Sequence, residues 1–337
     1  MLEIDARVSE ILRPACGQLS DELLASDQPV IIRALVADWP ATSACQQSPK
    51  QALDYLQRFD AGHQLTACLG GAECDGRVFY NSDMSGFNFR SERMPLAHAL
   101  RQLAVNAALE KPPLMYIAST NIDRWLPGFR DHNEIAGLAA KQPLASIWLG
   151  NRSRIAAHYD FPSNIACCVA GRRRFILFPP EQLPNLYVGP LDFTPAGQPI
   201  SLVDFKNPDY PRFPKFRTAL KSAQLAELEP GDALLIPSMW WHHVEALDSF
   251  NVLVNYWWRN SPTFMGAPLG ALQHALLALR DLPPEQRKVW RGIFDHYIFD
   301  PPAAQLDHIP ESARGALNPI DRDAAAAIRA SLLRSLQ

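Results

Sequence analysis

The chain lacks any Cys-x-x-Cys pair, since its six cysteines fall at positions 16, 45, 68, 74, 167 and 168. This spacing excludes a zinc ribbon or a dithiol redox motif and is typical of cytosolic thiols. A net charge of only -3 gives no general signature of polyanion binding. The N-terminus has acids where a signal peptide needs bases, and no run reaches the ~18 apolar residues of a membrane span. We expect a cytoplasmic protein without a membrane segment, with RNA possible but not favoured as a partner.

The length of 337 residues and the 47% hydrophobic content allow a large core, in one elaborated domain or in a domain with appendages. Residues 3 to 26 show helical spacing of Ile4, Val8 and Ile11, with Ser20 as a plausible second helix start. Helical patterns also cover residues 49 to 59 and 95 to 109. Short strands are predicted at 28–35, 64–69 and 77–80.

From residue 114 onward the pattern changes to many short strands separated by Gly and Pro. The predicted strands cover 114–119, 145–149, 155–159, 165–169, 175–178, 233–236, 242–246 and 251–256. This spacing favours a sandwich or barrel over alternating βαβ units. Seven prolines between residues 184 and 214 mark a long irregular insertion, and a loop of that length is usually functional or flexible.

His158 and Asp160 are two residues apart, so on a strand both side chains leave the same face. A distant histidine, His242, would add a second imidazole. Two imidazoles and one carboxylate leave three positions of an octahedral ion open, as in non-haem Fe(II) oxygenases. Because the chain has nine histidines, one His-x-Asp pair can arise by chance, and a partly buried histidine bonded to a nearby Asp is the alternative.

Further motifs follow in a definite order. They are His158-Tyr159-Asp160, Gly171-Arg172-Arg173-Arg174, Phe178-Pro179-Pro180, Pro230-Gly231-Asp232 and Trp240-Trp241-His242-His243. Together they resemble the Jumonji-C, cupin-like family of Fe(II)- and 2-oxoglutarate-dependent oxygenases, in particular the branch of the asparaginyl hydroxylase that acts on hypoxia-inducible factor. The resemblance is densest from 113 to 258, and Pro29 to Arg33 before Trp39-Pro40 is similar to the family's N-terminal segment.

The resemblance implies a mainly β fold, a double-stranded β-helix (jelly-roll, cupin-like) barrel with helical N- and C-terminal additions. Residues 1–112 would buttress the barrel, residues 113–260 would form the catalytic barrel, and residues 261–337 would be a helical region. His158, Asp160 and His242 would be the catalytic metal ligands for Fe(II). His243, the next residue on the strand, should face away as a hydrogen-bonded or exposed histidine.

The resemblance also implies which residues hold the cosubstrate 2-oxoglutarate. Its distal carboxylate would meet Arg173, where the asparaginyl hydroxylase pattern has Lys, and guanidinium can bind a carboxylate bidentately. Strand alternation cannot choose between Arg173 and its neighbours Arg172 and Arg174, because both faces carry apolar residues; the family position chooses Arg173. Tyr116 matches a tyrosine that reaches the same carboxylate, with a core aromatic as the alternative.

Two amides and one more aromatic match residues around the family's cosubstrate. Asn164 and Asn255 would line the pocket, with Trp257 close to it. An Asn within the apolar run 250–258 is costly without a partner, which favours a polar pocket there. Ile155 departs from the pattern, since the related hydroxylase has threonine there, so one cosubstrate hydrogen bond is missing or comes from another group.

The activity implied is oxidation of a C–H bond with O2, coupled to decarboxylation of 2-oxoglutarate to succinate. A protein side chain or another C–H substrate is expected. Demethylation is the lesser choice, because the charge is near neutral and no histone-reading or zinc module is present. Two alternatives stay open: a cupin-like metal protein that does not use 2-oxoglutarate, and a non-catalytic interaction module on the same fold.

The region after the barrel shows apolar stripes at helical spacing. Leu269, Leu272, Leu276 and Leu279 form the first stripe, a broader one runs from Val289 to Ile298, and a third helix is predicted after Asp321. Aromatic-rich surface is enriched at interfaces, and related oxygenases pair through C-terminal helices. We predict a two-fold homodimer built mainly from residues 264 to 299; the alternative is that the helices cover one face of the barrel.

Overall fold

The computed structural model describes residues 2–15, 17–300 and 306–336, so Cys16 lies outside the described residues. The structure divides into two units, residues 1–260 and 261–337. The division into residues 1–112, 113–260 and 261–337 with separate roles stays a prediction. The remaining cysteines at 45, 68, 74, 167 and 168 are free thiols.

Two largely antiparallel sheets dominate the first unit. In chain order the strands are β1 (Ser9–Leu12), β2 (Val30–Arg33), β3 (Gln64–Gly70), β4 (Arg77–Val78), β5 (Arg90–Pro95), β6 (Leu114–Asn121), β7 (Leu144–Gly150), β8 (Ser153–His158), β9 (Ser163–Ala170), β10 (Arg173–Phe178), β11 (Gln224–Leu228), β12 (Ala233–Ile236), β13 (Trp241–Ala246) and β14 (Asn251–Trp258). One sheet has the order β1-β2-β12-β9-β14-β7-β6-β3-β5, and the other β11-β10-β13-β8-β4. In the described ranges the two ladders remain separate sheets, consistent with a jelly roll, and the predicted cupin-like fold class is confirmed.

Strand β10 shows how the sheets pack. Phe175 and Leu177 point inward and pack in one buried cluster with residues of the larger sheet, including Leu234. Ile176 and Phe178 point to the other face and join a second buried cluster. Because a strand alternates its side chains between two faces, the part of β10 that is covered on both sides, Phe175 to Phe178, is entirely apolar.

Helices surround the sheets of the first unit and make up most of the second. They are α1 (Asp21–Leu24), α2 (Pro40–Gln47), α3 (Pro49–Gln57), α4 (Leu96–Asn106), α5 (Ile122–Trp125), α6 (Phe216–Leu220), α7 (Pro268–Leu279), α8 (Pro284–Phe294) and α9 (Arg322–Ser335). Ser20 and Asp321 cap α1 and α9 by accepting backbone N–H groups. The helices predicted at 49–59, at 95–109 and after Asp321 are confirmed. None of the helices in the described part of the chain is both long and apolar enough to cross a membrane.

The predicted helix over residues 3 to 26 is wrong for most of its length. Strand β1 pairs in parallel with β2, with Ser9 opposite Val30, and only α1 is helical. Pro14 lacks the N–H that a helix interior needs and disfavours continuation of a helix through this segment. Val8 is buried among residues of both sheets, so tertiary packing overrides the local helical spacing.

Candidate metal centre

Three side chains converge where β8 and β13 lie side by side. His158 is directly paired with His242 in the ladder, and their ring centroids are 4.3 Å apart. Asp160 follows β8, and its Oδ2 lies 3.7 Å from Nε2 of His242. One ligand atom from each of the three residues lies within 4.8 Å of the other two. This donor set suits one metal ion with open coordination positions.

Backbone carbonyls orient both imidazoles. Nδ1 of His158 lies 2.9 Å from the carbonyl oxygen of Ala156, and Nδ1 of His242 lies 2.9 Å from that of Trp240. A neutral ring that donates from Nδ1 leaves the Nε2 lone pair free for a metal. The pKa of His242 is lowered to about 4, mainly by burial and secondly by charge repulsion between His242 and His158. The His242 imidazole is therefore neutral at pH 7, as a ligand must be.

The Asp160 carboxylate is held by one donor on each oxygen. Nε2 of Gln198 donates to Oδ1 at 3.0 Å, and Nε1 of Trp257 donates to Oδ2 at 3.1 Å. Gln198 belongs to the proline-rich insertion, and sequence reasoning missed it. The only sequence signal was that long insertions often carry function. Each carboxylate oxygen can accept more than one bond, so a lone pair remains for a metal.

The turn that precedes β13 is strained and forms hydrogen bonds to the segment that carries Asp160. Met239, in the turn before β13, has a φ of 68°, a conformation that non-glycine residues adopt at a cost of ~1–3 kcal/mol. Its N–H donates to the carbonyl of Asp160 at 2.9 Å, and the Ser238 hydroxyl donates to the carbonyl of Phe161 at 2.5 Å. These bonds fix the turn against the segment that carries Asp160.

Arg173 differs from its two neighbours in its surroundings. Arg172 pairs with Asp248 at 2.9 Å, and Arg174 pairs with Glu227 at 3.0 Å. Arg173 is only 4% exposed, and its Nε has no hydrogen-bond partner among the described residues. Burial lowers the pKa of the Arg173 guanidinium. A buried cation without a charge partner is costly, so this position fits a bound anion.

A row of aromatic side chains in contact with one another runs from the neighbourhood of Arg173 to Asp160. Tyr116 is buried, which raises its pKa, and it lies close enough to Arg173 for the guanidinium to oppose that shift. The Tyr116 ring stacks on Trp148 with centroids 5.9 Å apart, and Trp148 meets the edge of Trp257 at 6.0 Å. Nε1 of Trp148 is buried without a partner among the described residues. Sequence reasoning missed Trp148, because one aromatic in an apolar strand carries no distinguishing signal.

The two predicted amides lie together. Nδ2 of Asn255 donates to Oδ1 of Asn164 at 2.9 Å, while Oδ1 of Asn255 has no partner in the described chain. Ile155 packs against apolar clusters on the inner face and offers no hydrogen bond from its side chain. His243 faces the opposite side of β13, where it is buried and stacks on Phe205 at 4.5 Å. The unpartnered polar atoms of Arg173, Trp148 and Asn255 fit a small polar acid bound beside the three ligands.

Comparison with known proteins gives one family match and several relatives. The family described as cupin-like domain matches residues 17–264. HSPB1-associated protein 1 of Homo sapiens is 36% identical over 265 residues, covering 74% of this chain and 51% of the relative. Lysine-specific demethylase JMJ31 of Arabidopsis thaliana is 30% identical over 158 residues, 47% of this chain and 27% of the relative. tRNA wybutosine-synthesizing protein 5 of Gallus gallus is 32% identical over 145 residues, 39% of this chain and 42% of the relative. The matched regions thus span about half or less of these relatives.

Proposed function

This chain belongs to the cupin-like, Jumonji-C family, and on that premise we propose that it is an Fe(II)- and 2-oxoglutarate-dependent oxygenase. The observation that supports this most is the buried guanidinium of Arg173, whose Nε has no partner among the described residues, in the same fold as the His158, Asp160 and His242 cluster. A metal protein that binds no anionic ligand has no need of such a cation. The narrower likeness to the asparaginyl hydroxylase branch stays a prediction.

In the proposed reaction, His158, Asp160 and His242 hold Fe(II), and Gln198 and Trp257 keep the carboxylate of Asp160 in place. When bound, iron and 2-oxoglutarate supply the oxidising chemistry, in which O2 is consumed and succinate and carbon dioxide are released. The chain's own residues position the reactants and exclude water.

The cosubstrate pocket is assigned to the inner face of the two sheets. Arg173 and Tyr116 bind the distal carboxylate of 2-oxoglutarate. Asn164 and Asn255 line the pocket, and Trp257 closes it near Asp160. Ile155 contributes apolar contact only, so the hydrogen bond that threonine gives in the related pattern comes from elsewhere or is absent.

The proposed primary reaction is hydroxylation of a protein side chain or another C–H substrate, such as a small molecule. Demethylation is the second candidate, because one relative is named a lysine-specific demethylase. Loss of an N-methyl group begins with oxidation of a C–H bond, so the same site could serve both outcomes. The name of another relative, a tRNA wybutosine-synthesizing protein, keeps an RNA base as a third possibility.

We further propose that residues 264 to 299 form the interface of a homodimer. Supporting this, α7, α8 and the π-helical segment Asp295–Phe299 that follows α8 expose large apolar side chains, including Leu277, Trp290, Tyr297 and Phe299. Aromatic side chains are enriched at interfaces. Residues 261–337 would then serve dimerisation while residues 113–260 serve catalysis, and the cytoplasmic location stays a prediction.

A direct test of function uses Fe(II), 2-oxoglutarate and air with pools of cell peptides, RNA and small molecules. We expect substrate-stimulated succinate formation and a product heavier by one oxygen, both absent in His242→Ala. Loss of a methyl group with release of formaldehyde would favour demethylation. Metal binding without any 2-oxoglutarate binding would favour the cupin-like alternative and contradict the proposal.

A further inference from the structure

The face of the five-stranded sheet that points away from the candidate metal centre carries a row of charges. Paired across the ladder are Glu227 of β11, Arg174 of β10, Glu245 of β13, Arg154 of β8 and Arg77 of β4. The signs alternate until Arg154, which lies opposite Arg77. Like charges opposite each other are unfavourable, and Asp204 offsets this repulsion because its carboxylate forms ion pairs with both Arg77 and Arg154.

A cavity of about 440 Å³ adjoins this row. Its apolar lining comes from Leu2, Ile4, Ile176, Phe205, Leu225, Ala246 and Leu247. Small-molecule sites are mostly apolar clefts of roughly 300–1,000 Å³ with a few polar groups that fix orientation. The cavity has the size and lining of such a site.

The charged side chains around the cavity are mainly cations. Arg152, Arg154, Arg174 and Lys206 line it, against the carboxylates of Asp75 and Glu245. Arg154, Arg174 and Lys206 are each ion-paired. Arg152 donates its Nε to the carbonyl of Leu247, and within the described residues no carboxylate pairs with it. One cation beside the apolar lining is thus available to an anion.

We propose that this cavity binds a small amphipathic carboxylate, such as a medium-chain fatty acid. Its apolar chain packs on Ile176, Leu225 and Ile4, and its carboxylate pairs with Arg152. The cavity is separate from the candidate cosubstrate pocket, because Arg174 and Arg173 leave opposite faces of β10. The proposed carboxylate site therefore does not depend on the proposed oxygenase activity.

The test is calorimetric titration of the full chain with decanoate and dodecanoate. Each buried methylene should tighten binding about fourfold, and neutral dodecanol should bind more weakly than dodecanoate. Arg152→Gln removes the cation, and Ile4→Trp fills the apolar space. We expect each to weaken dodecanoate binding at least about tenfold. Arg93→Gln, an exposed arginine of β5 in the other sheet, is the matched control and should change nothing.

A carboxylate probe could instead enter the cosubstrate pocket, and Arg173→Ala separates the two sites. Binding that is lost in Arg173→Ala but kept in Arg152→Gln would overturn the proposal, as would the absence of saturable binding. If Ile4→Trp fails to fold, Arg152→Gln alone decides, because Arg152 is exposed. Dodecanoate affinity that is equal in the parent protein and Arg152→Gln also overturns it.

Discussion

At the scale of single residues, Arg173 and Asp160 contrast in how completely they are paired. Asp160 has a donor on each oxygen, while the Nε of the buried Arg173 has no acceptor among the described residues. A buried ion without its partner destabilises the fold. We infer that this cost is retained because a ligand supplies the missing carboxylate.

Replacing Arg173 by Met should weaken 2-oxoglutarate binding while leaving the ligand-free protein at least as stable. A charge-assisted bond contributes roughly 1.5–3 kcal/mol, which is about ten- to more than a hundredfold in affinity. Calorimetry of 2-oxoglutarate binding and thermal unfolding check both effects. Arg172→Met is the matched control, because Arg172 is exposed and pairs with Asp248. Equal losses of affinity in the two variants would contradict the assignment.

Replacing Gln198 by Ala should loosen the Asp160 carboxylate and weaken Fe(II) or Mn(II) binding. Loss of a partner that orients a metal ligand typically costs about 10–100-fold in affinity. Metal titration followed by tryptophan fluorescence measures it. Gln182→Ala, which removes a glutamine that bonds Ser222, should leave metal affinity unchanged. Unaltered affinity in Gln198→Ala would show that Trp257 holds the carboxylate alone.

At the scale of elements, regular spacing explains what the sequence could predict. The strand patterns around His158 and His242 were predicted, and the antiparallel pairing of β8 with β13 places the two histidines opposite each other. Gln198 could not be found in this way, because the proline-rich insertion has no periodicity that places a side chain. The helical spacing of Ile4 and Val8 misled for the opposite reason, since pairing with β2 decides the conformation of β1.

The turn before β10 gives an element-scale prediction. Gly171 has a φ of 69°, and a Cβ there would lie 2.3 Å from Oδ1 of Asn251 and 2.6 Å from the carbonyl of Phe250. Gly171→Ala should therefore destabilise the protein by at least ~1–3 kcal/mol, and it should weaken 2-oxoglutarate binding by displacing Arg173. Urea denaturation measures the free energy of unfolding. Gly197→Ala, with a φ of 94° and nothing within 4 Å, should show only the smaller backbone cost; equal destabilisation would contradict this account.

At the scale of the whole molecule, the order of motifs was enough to predict the family and the jelly-roll fold. The cupin-like match to residues 17–264 confirms the family. Assembly is not predictable in the same way. An apolar stripe on a helix indicates that something covers it, but a neighbouring element of the same chain and a second copy leave the same pattern.

Light scattering at micromolar concentration tests the proposed dimer. We expect a mass near twice 37.6 kDa, and a shift to the monomer when Trp290 and Phe294 are both replaced by Gln, with metal binding intact. Trp290 is 41% exposed, so its loss should not disturb folding. Leu333→Gln, on α9 and outside the proposed interface, is the control. A 37.6 kDa monomer in the parent protein would refute the dimer.

The central claim is that His158, Asp160 and His242 hold one Fe(II) ion beside a 2-oxoglutarate site. Anaerobic titration with Fe(II), followed by 2-oxoglutarate, measures both binding events in one sample. We predict one equivalent of each in the parent protein, and no stoichiometric Fe(II) binding in His158→Ala or His242→Ala, with circular dichroism unchanged. Full retention of Fe(II) by either folded variant would contradict the claim.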